Sequence, residues 1–394
     1  MNAIEFSRRT RWEPVPNRWT MLRAEKEARG EPLLDLTESN PTRVGLAYPE
    51  ETIAAALADR RALVYQPAPF GLPEARLAVA EHLEAGGVGV ASERIVLTAS
   101  TSEAYAWLFK LLADPGDAVL VPRPGYPLFE FLGGLESVRA VPYPLDLADG
   151  WRIDVDALGR QAPREARAVV LVNPNNPTGS FLKREEWRSL QALCRERGWA
   201  VVSDEVFRDY AGAPDPARVS CAAVAPDVLT FSLGGLSKSA GLPQLKLAWI
   251  AVGGPEAEVR EALRRLEVVA DSYLSVGAPV QWALRTLLAA GAEVRAGIQA
   301  RVAANRATLE ATCAGSACRL LPSEGGWYGI LQIPATRSGE EWVLRLLAQD
   351  GVAVHPGYFY DFPREAFLVL SLLPPPASFA AAAAAIVRRV AAEA

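Results

Sequence analysis

The amino-acid sequence predicts an α/β protein, with a large domain on a mostly parallel sheet flanked by helices and a smaller α+β domain. Three observations support this prediction. The 394 residues exceed what one hydrophobic core usually accommodates. Short apolar runs alternate with amphipathic stretches over the first two thirds of the chain, which is typical of parallel βαβ units. This alternation ends near residue 275.

The alternating region supplies the predicted sheet. Its apolar runs predict strands at 94–98, 118–122, 167–172, 199–204, 228–233 and 245–252. Three stretches between them predict helices at 102–112, 127–135 and 184–198. Because most of these runs are apolar throughout, we expect the strands to be covered on both faces.

The change of pattern gives the predicted domain boundaries. We predict an N-terminal arm over residues 1–44 that forms part of the small domain, a large domain over 45–275, and a small α+β domain over 276–394. The last part combines a long Ala/Arg-rich helix at 279–312, short strands in WYGILQI and FLVLSLL, and an Ala-rich terminal helix.

Composition argues against several classes of function. The net charge of −5, without a basic run, gives no basis for a nucleic-acid partner. Two histidines leave little material for a His-rich site, so we expect no metal. We also expect no signal peptide, no membrane contact and a cytoplasmic location. The four irregularly spaced cysteines are consistent with buried thiols in a reducing compartment: Cys194, Cys221, Cys313 and Cys318.

The first candidate site is TASTSEAY, where a predicted strand leads into a helix. Ser100 and Glu103 have the spacing of a capping box. Backbone N–H groups and the hydroxyls of Thr101 and Ser102 could also hold a phosphate there. An ordinary helix N-cap explains the same residues, so this motif alone does not decide between the two.

Two further candidate sites follow buried strands. NPNNPTG (173–179) contains two prolines and a glycine, which favour a fixed turn that positions asparagine side chains. Turn formation alone would explain this motif equally well. Asp204 ends AVVSD, and a carboxylate at that position suggests either a cationic partner or a helix N-cap.

The fourth candidate is Lys238 in GGLSKSAGLPQLKLAW, where only five of the 41 basic residues of the chain are lysines. Unlike arginine, a lysine amine can lose its proton and attack a carbonyl. Only roughly one ordinary amine in 2,500 is neutral at pH 7, so this use requires desolvation, a nearby cation or a permanent Schiff base. A Walker loop would need glycine at 232 and 237, where serine stands, and is rejected.

Together and in this order, these motifs resemble those of the class I and II aminotransferases, which are fold-type-I enzymes dependent on pyridoxal 5′-phosphate (PLP). The resemblance runs from LTESNPT to VAVHPGYFYDF; NPNNPTG and GLSKSAGLP are its most specific parts, and SDEVF supports it. It implies the PLP-dependent transferase fold with a seven-stranded large-domain sheet. It also implies ping-pong amino transfer between an amino donor and an oxo acid.

The resemblance assigns a role to each candidate residue. Lys238 forms the Schiff base and moves the proton at the donor Cα, Asp204 pairs with the pyridine N–H, and Tyr126 stacks on the ring. Asn176 binds the phenolic oxygen and contacts the substrate. The phosphate is contacted by Ser100, Thr101, Ser102, Lys246 and, across a dimer interface, Tyr65. A homodimer with a shared active site is therefore implied.

Four positions depart from the family pattern. Lys246 replaces the usual arginine, Gly235 a serine that binds phosphate, and Phe207 a tyrosine whose hydroxyl Tyr210 could supply. Val369 stands where an arginine normally holds the α-carboxylate of the substrate. We expect Asn40 and Arg43 of ESNPTR to bind substrate, with Arg43 as the substitute cation, although it could equally be a surface arginine. We expect weak or atypical use of ordinary α-amino acids.

Two other functions remain open at this point. A PLP-dependent lyase or decarboxylase would use the same fold, because the same intermediate can react in several ways. A non-catalytic PLP-fold binding protein is the other alternative, although retention of Lys238, Asp204 and Asn176 argues against it. The sequence does not identify the amino donor.

Overall fold

The computed structural model describes residues 4–12 and 15–393. Residues 1–3 and 13–14 of the predicted N-terminal arm, and residue 394, lie outside the described residues. The helices in this part of the chain are α1 (Arg18–Ala28), α2 (Glu50–Leu57), α3 (Pro73–Ala85), α4 (Thr101–Leu112), α5 (Phe129–Leu135), α6 (Val155–Gln161), α7 (Arg184–Arg197), α8 (Leu236–Ser239), α9 (Glu256–Tyr273), α10 (Ala278–Cys313), α11 (Gly339–Asp350) and α12 (Pro376–Glu393).

The strands form three sheets. In chain order they are β1 (Leu34–Asp35), β2 (Ile95–Thr98), β3 (Ala118–Arg123), β4 (Arg139–Asp146), β5 (Arg152–Ile153), β6 (Ala166–Val172), β7 (Ala200–Asp204), β8 (Thr230–Gly235), β9 (Ala248–Gly253), β10 (Arg319–Leu320), β11 (Tyr328–Gln332), β12 (Val352–Ala353), β13 (His355–Pro356) and β14 (Phe367–Ser371).

The largest sheet has the strand order β2-β9-β8-β7-β6-β3-β4-β5 and is mostly parallel, as predicted. Strand β9 runs antiparallel to both of its neighbours. All six strands predicted from apolar runs lie in this sheet, with ends shifted by a few residues at most. The sheet has eight strands where the resemblance implies seven, because β5 adds a two-residue antiparallel strand at one edge.

Helices cover both faces of this sheet, which explains why most of its strands are apolar throughout. Val119 and Val121 of β3 face a core that includes α4 and α9, whereas Leu120 between them faces a core that includes α6 and α7. Side chains alternate across a strand, so both sets must be apolar when both faces are buried.

The C-terminal region contains a four-stranded antiparallel sheet of order β10-β11-β14-β13. The N-terminal segment joins this region, because β1 pairs in parallel with β12 and Trp19 of α1 packs into the same core as α11 and α12. Ile330 and Val369 of this sheet pack into the core beneath α7, so hydrophobic contact continues between the two regions. The predicted domain boundaries remain a prediction. Within the described residues, no helix has the length and hydrophobicity needed to span a membrane.

Candidate active site

The carboxyl ends of the central strands bring the predicted site residues to one edge of the sheet. β7 ends at Asp204, β6 leads into the loop 173–179, and β8 leads into α8, which contains Lys238. β2 leads to Ser100, the N-cap of α4. These four strands run in the same direction, and ligands of open α/β sheets bind at this edge.

Lys238 lies in an apolar and aromatic environment. Its Nζ lies 4.4 Å from the ring centroid of Trp327 and 5.3 Å from that of Phe207. Burial lowers the pKa of this amine from 10.5 to about 8, while the charge of Asp204 opposes the shift. At pH 7 about one such amine in ten is neutral, so desolvation makes Lys238 a far better nucleophile than an exposed lysine.

The backbone around Lys238 is held from two sides. The hydroxyl of Tyr210 donates to the Lys238 carbonyl oxygen at 2.6 Å. The Tyr210 hydroxyl is thus engaged with the backbone, and the expectation that it supplies the hydroxyl missing at Phe207 remains a prediction. On the other side, α10 packs so closely that a side chain at Gly291 would collide with Ala240.

Asp204 is buried at the end of β7. Its Oδ2 accepts a hydrogen bond from the Tyr105 hydroxyl at 3.1 Å, and its Oδ1 accepts one from the Val206 N–H at 3.2 Å. Burial raises the pKa of this carboxyl from 3.8 to about 6. Within the described residues Asp204 forms no ion pair, and Lys238 acts on it through its charge. The two alternatives for this carboxylate, a cationic partner or a helix N-cap, both remain predictions. A buried carboxylate of this kind is a ready acceptor for a ligand N–H.

The three asparagines of NPNNPTG have different environments. Asn173 is fully engaged, because its Nδ2 donates to the Val219 carbonyl at 2.9 Å and its Oδ1 accepts the Leu182 N–H at 3.0 Å. Asn175 Oδ1 accepts the Thr178 hydroxyl at 2.9 Å. Asn176 Oδ1 is buried and has no hydrogen-bond partner among the described residues. Unlike Asn173 and Asn175, Asn176 does not use its side-chain oxygen in the hydrogen bonds of the turn, so this atom is available to a ligand.

Gly179 closes this loop in a conformation that requires glycine. Its φ of +70° is one that residues with side chains rarely adopt, and a Cβ atom would collide with Ser323. The turn chemistry predicted for NPNNPTG therefore serves to position Asn176.

The helix α4 begins at the predicted phosphate-binding residues. Ser100 Oγ accepts the Glu103 N–H at 3.1 Å, as an N-cap should. In a capping box the Glu103 carboxylate would accept the Ser100 N–H. Here it accepts the Ala99 N–H at 2.7 Å and the Ser275 hydroxyl at 2.8 Å instead. Thr101 and Ser102 start the helix at half-buried positions.

Tyr126 is half-buried near Asp204. Its ring packs edge-to-face on Phe129 with centroids 5.7 Å apart. Burial, and then the charge of Asp204, raise the pKa of the Tyr126 hydroxyl to about 12. The structure thus places Lys238 and Tyr126 close enough to Asp204 for its charge to affect the pKa of both.

A cavity of about 430 Å³ opens at Lys238. The residues that line it with Lys238 are Arg23, Asp35, Thr37, Glu38, Ser39, Asn40, Pro41 and Pro243. Asn40 is therefore at the cavity, as expected, whereas Arg43 is exposed and is not among the lining residues. The substrate-binding role of Arg43 remains a prediction.

Two predicted phosphate contacts lie apart from this cavity in the single chain. Lys246 is exposed, with a φ of +52°. Tyr65 is 79% exposed and borders a separate cavity of about 360 Å³, together with Leu63, Val64 and Leu274. Their roles remain predictions.

Two of the family departures have a clear structural context. Val369 is only 1% exposed and pairs with Ile330 and His355, so this position supplies no cation to the cavity. A Cβ atom at Gly235 would lie 3.0 Å from the Ala248 Cβ, which leaves little room for a serine.

Tyr105, Trp327 and Glu38 were not predicted as site residues. Tyr105 lies one helical turn after Thr101, and this spacing is a signal that it shares the site-facing side of α4. Trp327 and Glu38 reach the site through tertiary packing, for which the local sequence carries no signal.

Comparison with known proteins finds aminotransferases both by sequence and by structure. The family profile described as "Aminotransferase class I and II" matches residues 28–386. The glutamate-pyruvate aminotransferase AlaA of Escherichia coli (strain K12) is 30% identical over 263 residues, which cover 66% of this chain and 65% of that protein. Nicotianamine aminotransferase 1 of Oryza sativa subsp. japonica is 31% identical over 254 residues, 62% of this chain and 50% of that protein. The chain thus matches just under two thirds of the length of the first of these relatives.

Solved structures share the fold. An aminotransferase from Escherichia coli superposes with a TM-score of 0.85 at 23% identity, over 99% of both chains. An alanine aminotransferase from Pyrococcus furiosus superposes with a TM-score of 0.87 at 21% identity, over 98% of this chain and 100% of that one.

Proposed function

Because the chain belongs to the class I and II aminotransferases, a PLP-dependent family, we propose that it transfers an amino group from an amino donor to an oxo acid. The transfer is ping-pong, and Lys238 carries the cofactor. The observation that carries this proposal is that a buried Lys238 amine and a buried Asp204 carboxylate lie at the same edge of the sheet.

The residues at this edge fit PLP. Asp204 is a buried acceptor without an ion-pair partner in the described chain, and would receive the pyridine N–H. Asn176 would donate its Nδ2–H to the phenolic oxygen, while its buried Oδ1, which has no partner within the described residues, is left to accept from another ligand group. The N-terminus of α4 at Ser100, Thr101 and Ser102 would hold the phosphate, with help from Lys246.

PLP, when bound, supplies an electron sink for the charge left at the donor Cα. The chain supplies the proton chemistry. Lys238 Nζ would take the proton from the donor Cα, a role favoured by the lowered pKa that burial produces. Trp327 and Phe207 pack beside this amine and contribute to its burial, and Tyr126 would cover the cofactor ring.

The same proposal includes a homodimer. Leu63 and Tyr65 are 81% and 79% exposed beside a cavity, and exposed apolar residues grouped in this way usually mark an interface. In such a dimer Tyr65 would reach the phosphate of the neighbouring site. We also propose a cytoplasmic location, which is consistent with four free, buried cysteines.

The names of the matched relatives suggest small amino acids and oxo acids as substrates. Val369, however, removes the cation that would grip an α-carboxylate, so we propose that alanine and glutamate are poor donors here.

The test is a spectroscopic screen of the PLP-loaded protein with amino donors, followed by addition of oxo acids. Donor-dependent loss of the cofactor absorbance and its recovery with an oxo acid would support amino transfer. Lys238→Arg is the matched control, because it keeps the positive charge but cannot form a Schiff base. Release of ammonia or carbon dioxide without amino transfer would contradict the proposal.

A further inference from the structure

The cavity at Lys238 is bordered by three other charged side chains, Arg23, Asp35 and Glu38. The charge of Arg23 is already matched: its Nη2 donates to Asp35 at 2.8 Å and its Nε donates to Glu27 at 2.8 Å. Its Nη1 donates to the Thr37 hydroxyl at 3.0 Å. Arg23 is therefore held in place by two carboxylates, and it attracts the carboxylate of a substrate only weakly.

Glu38 is in a different situation. Its Oε1 accepts the N–H of Asn40 at 2.8 Å, which anchors the side chain within the turn that lines the cavity. Across residues 4–12 and 15–393, no cation lies within ion-pair distance of its carboxylate. The cavity lining, apart from Lys238, thus carries surplus negative charge.

No nearby group compensates this charge at the position where the family has arginine. Val369 is buried, and its strand partner His355 has a pKa lowered from 6.5 to about 4, because burial disfavours its charged form. His355 is therefore neutral at physiological pH. Val369 carries no charge, and the neutral His355, which lies near Asp35 and Arg23 of the cavity lining, adds none.

Building on the proposed function, we propose that Glu38 selects amino donors that carry a second positive charge, such as a distal ammonium group. A carboxylate anchored in a partly enclosed cavity attracts a cation more strongly than one in open solvent, and repels an anionic donor. The distal ammonium would lie at Glu38 while the reacting amine lies at Lys238. Both residues line the same cavity.

The inference can be tested with pairs of donors that differ only in the distal charge. Lysine is compared with norleucine, and pentane-1,5-diamine with pentylamine, by kcat/KM of the donor half-reaction. The wild type should prefer the charged member of each pair by roughly tenfold or more. Glu38→Gln should reduce this preference toward unity, because glutamine keeps the acceptor for Asn40 but lacks the charge. Glu50→Gln, an exposed position outside the cavity, is the control for net charge.

The outcomes separate this inference from the proposed function. Equal use of charged and uncharged donors by the wild type, or a preference that survives Glu38→Gln, overturns the role of Glu38 but leaves amino transfer intact. Failure of every donor, alanine and glutamate included, overturns the proposed function. In that case calorimetric titration of the PLP-loaded protein with pentane-1,5-diamine and pentylamine still decides on Glu38, since equal affinities would contradict its role.

Discussion

Asp204 illustrates how a single residue can oppose folding and serve a ligand. Its carboxyl group is buried with two hydrogen bonds and no cation in contact, and its pKa rises from 3.8 to about 6. A raised pKa means that the folded state binds a proton more tightly than the unfolded state. The free energy of unfolding should therefore fall as pH rises from about 4 to about 6, and stay lower above that range.

Asp204→Asn should remove this cost in the cofactor-free protein. We expect the variant to be more stable than the wild type at pH 8 by about 3 kcal/mol, since one pKa unit corresponds to about 1.4 kcal/mol. The advantage should vanish at pH 4, where the wild-type carboxyl is already protonated. Urea unfolding at both values of pH measures the difference, with the exposed Asp149→Asn as control. A less stable Asn variant at pH 8 would contradict this account.

At the residue scale, motif order in the sequence was sufficient to nominate Lys238, Asp204 and Tyr126, which the fold brings close together. The sequence was insufficient for contacts made by tertiary packing. Trp327, the residue just before β11 and almost 90 residues downstream, packs on the Lys238 amine, and the Tyr210 hydroxyl donates to a backbone carbonyl. Neither contact has a local sequence pattern.

At the scale of elements, the junction between β8 and α8 determines how much room is left for a phosphate-binding side chain. The backbone of Gly235 is extended there, so glycine is not required by its φ value. Space favours glycine instead: a Cβ atom would make tight contacts, 3.0 Å from the Ala248 Cβ and 3.2 Å from the Leu247 carbonyl oxygen. The missing phosphate hydroxyl at this position is therefore linked to close packing against β9.

Gly235→Ser, which restores the family residue, should consequently destabilise the protein. We expect a loss of about 1–2 kcal/mol in the free energy of unfolding from overpacking, without tighter PLP binding. Adding Ala248→Gly should recover part of the loss, since it removes the closest contact. Urea unfolding and a PLP dissociation constant measure both effects. A stable serine variant with higher PLP affinity would show that space is not the limit.

Strand β4 shows where prediction of elements fails. It contains Pro142 and Pro144 and is partly exposed, so it lacks the apolar run that identified the other strands. Prolines are tolerated because β4 lies near the sheet edge, where it pairs fully only with β3. The buried central strands, by contrast, were predictable because burial on both faces imposes a continuous apolar pattern.

At the scale of the whole molecule, the N-terminal segment connects the C-terminal sheet region with the site. β1 pairs with β12. The turn that follows β1 contains Glu38 and Asn40, which line the same cavity as Lys238. The boundaries between the arm and the two domains could not be derived from alternation alone, because contacts between distant segments define them.

The proposed homodimer predicts a specific disruption. Leu63 is 81% exposed and borders the same cavity as Val64, Tyr65 and Leu274. Leu63→Glu would place a charge in a desolvated interface, so we expect the dimer dissociation constant to rise at least roughly tenfold. Sedimentation equilibrium measures it. Val224→Glu, exposed and outside this cavity, is the control. A fully active wild-type monomer, or no effect of Leu63→Glu, would contradict the shared site.

The central claim is that Lys238 carries the cofactor, and covalent labelling tests it most directly. The protein is incubated with PLP, reduced with borohydride, digested and mapped by mass spectrometry, with Lys238→Arg treated in parallel. We predict one stoichiometric label on Lys238, which is lost in Lys238→Arg. A label on Lys246 instead, or no label in the presence of PLP, would contradict the account.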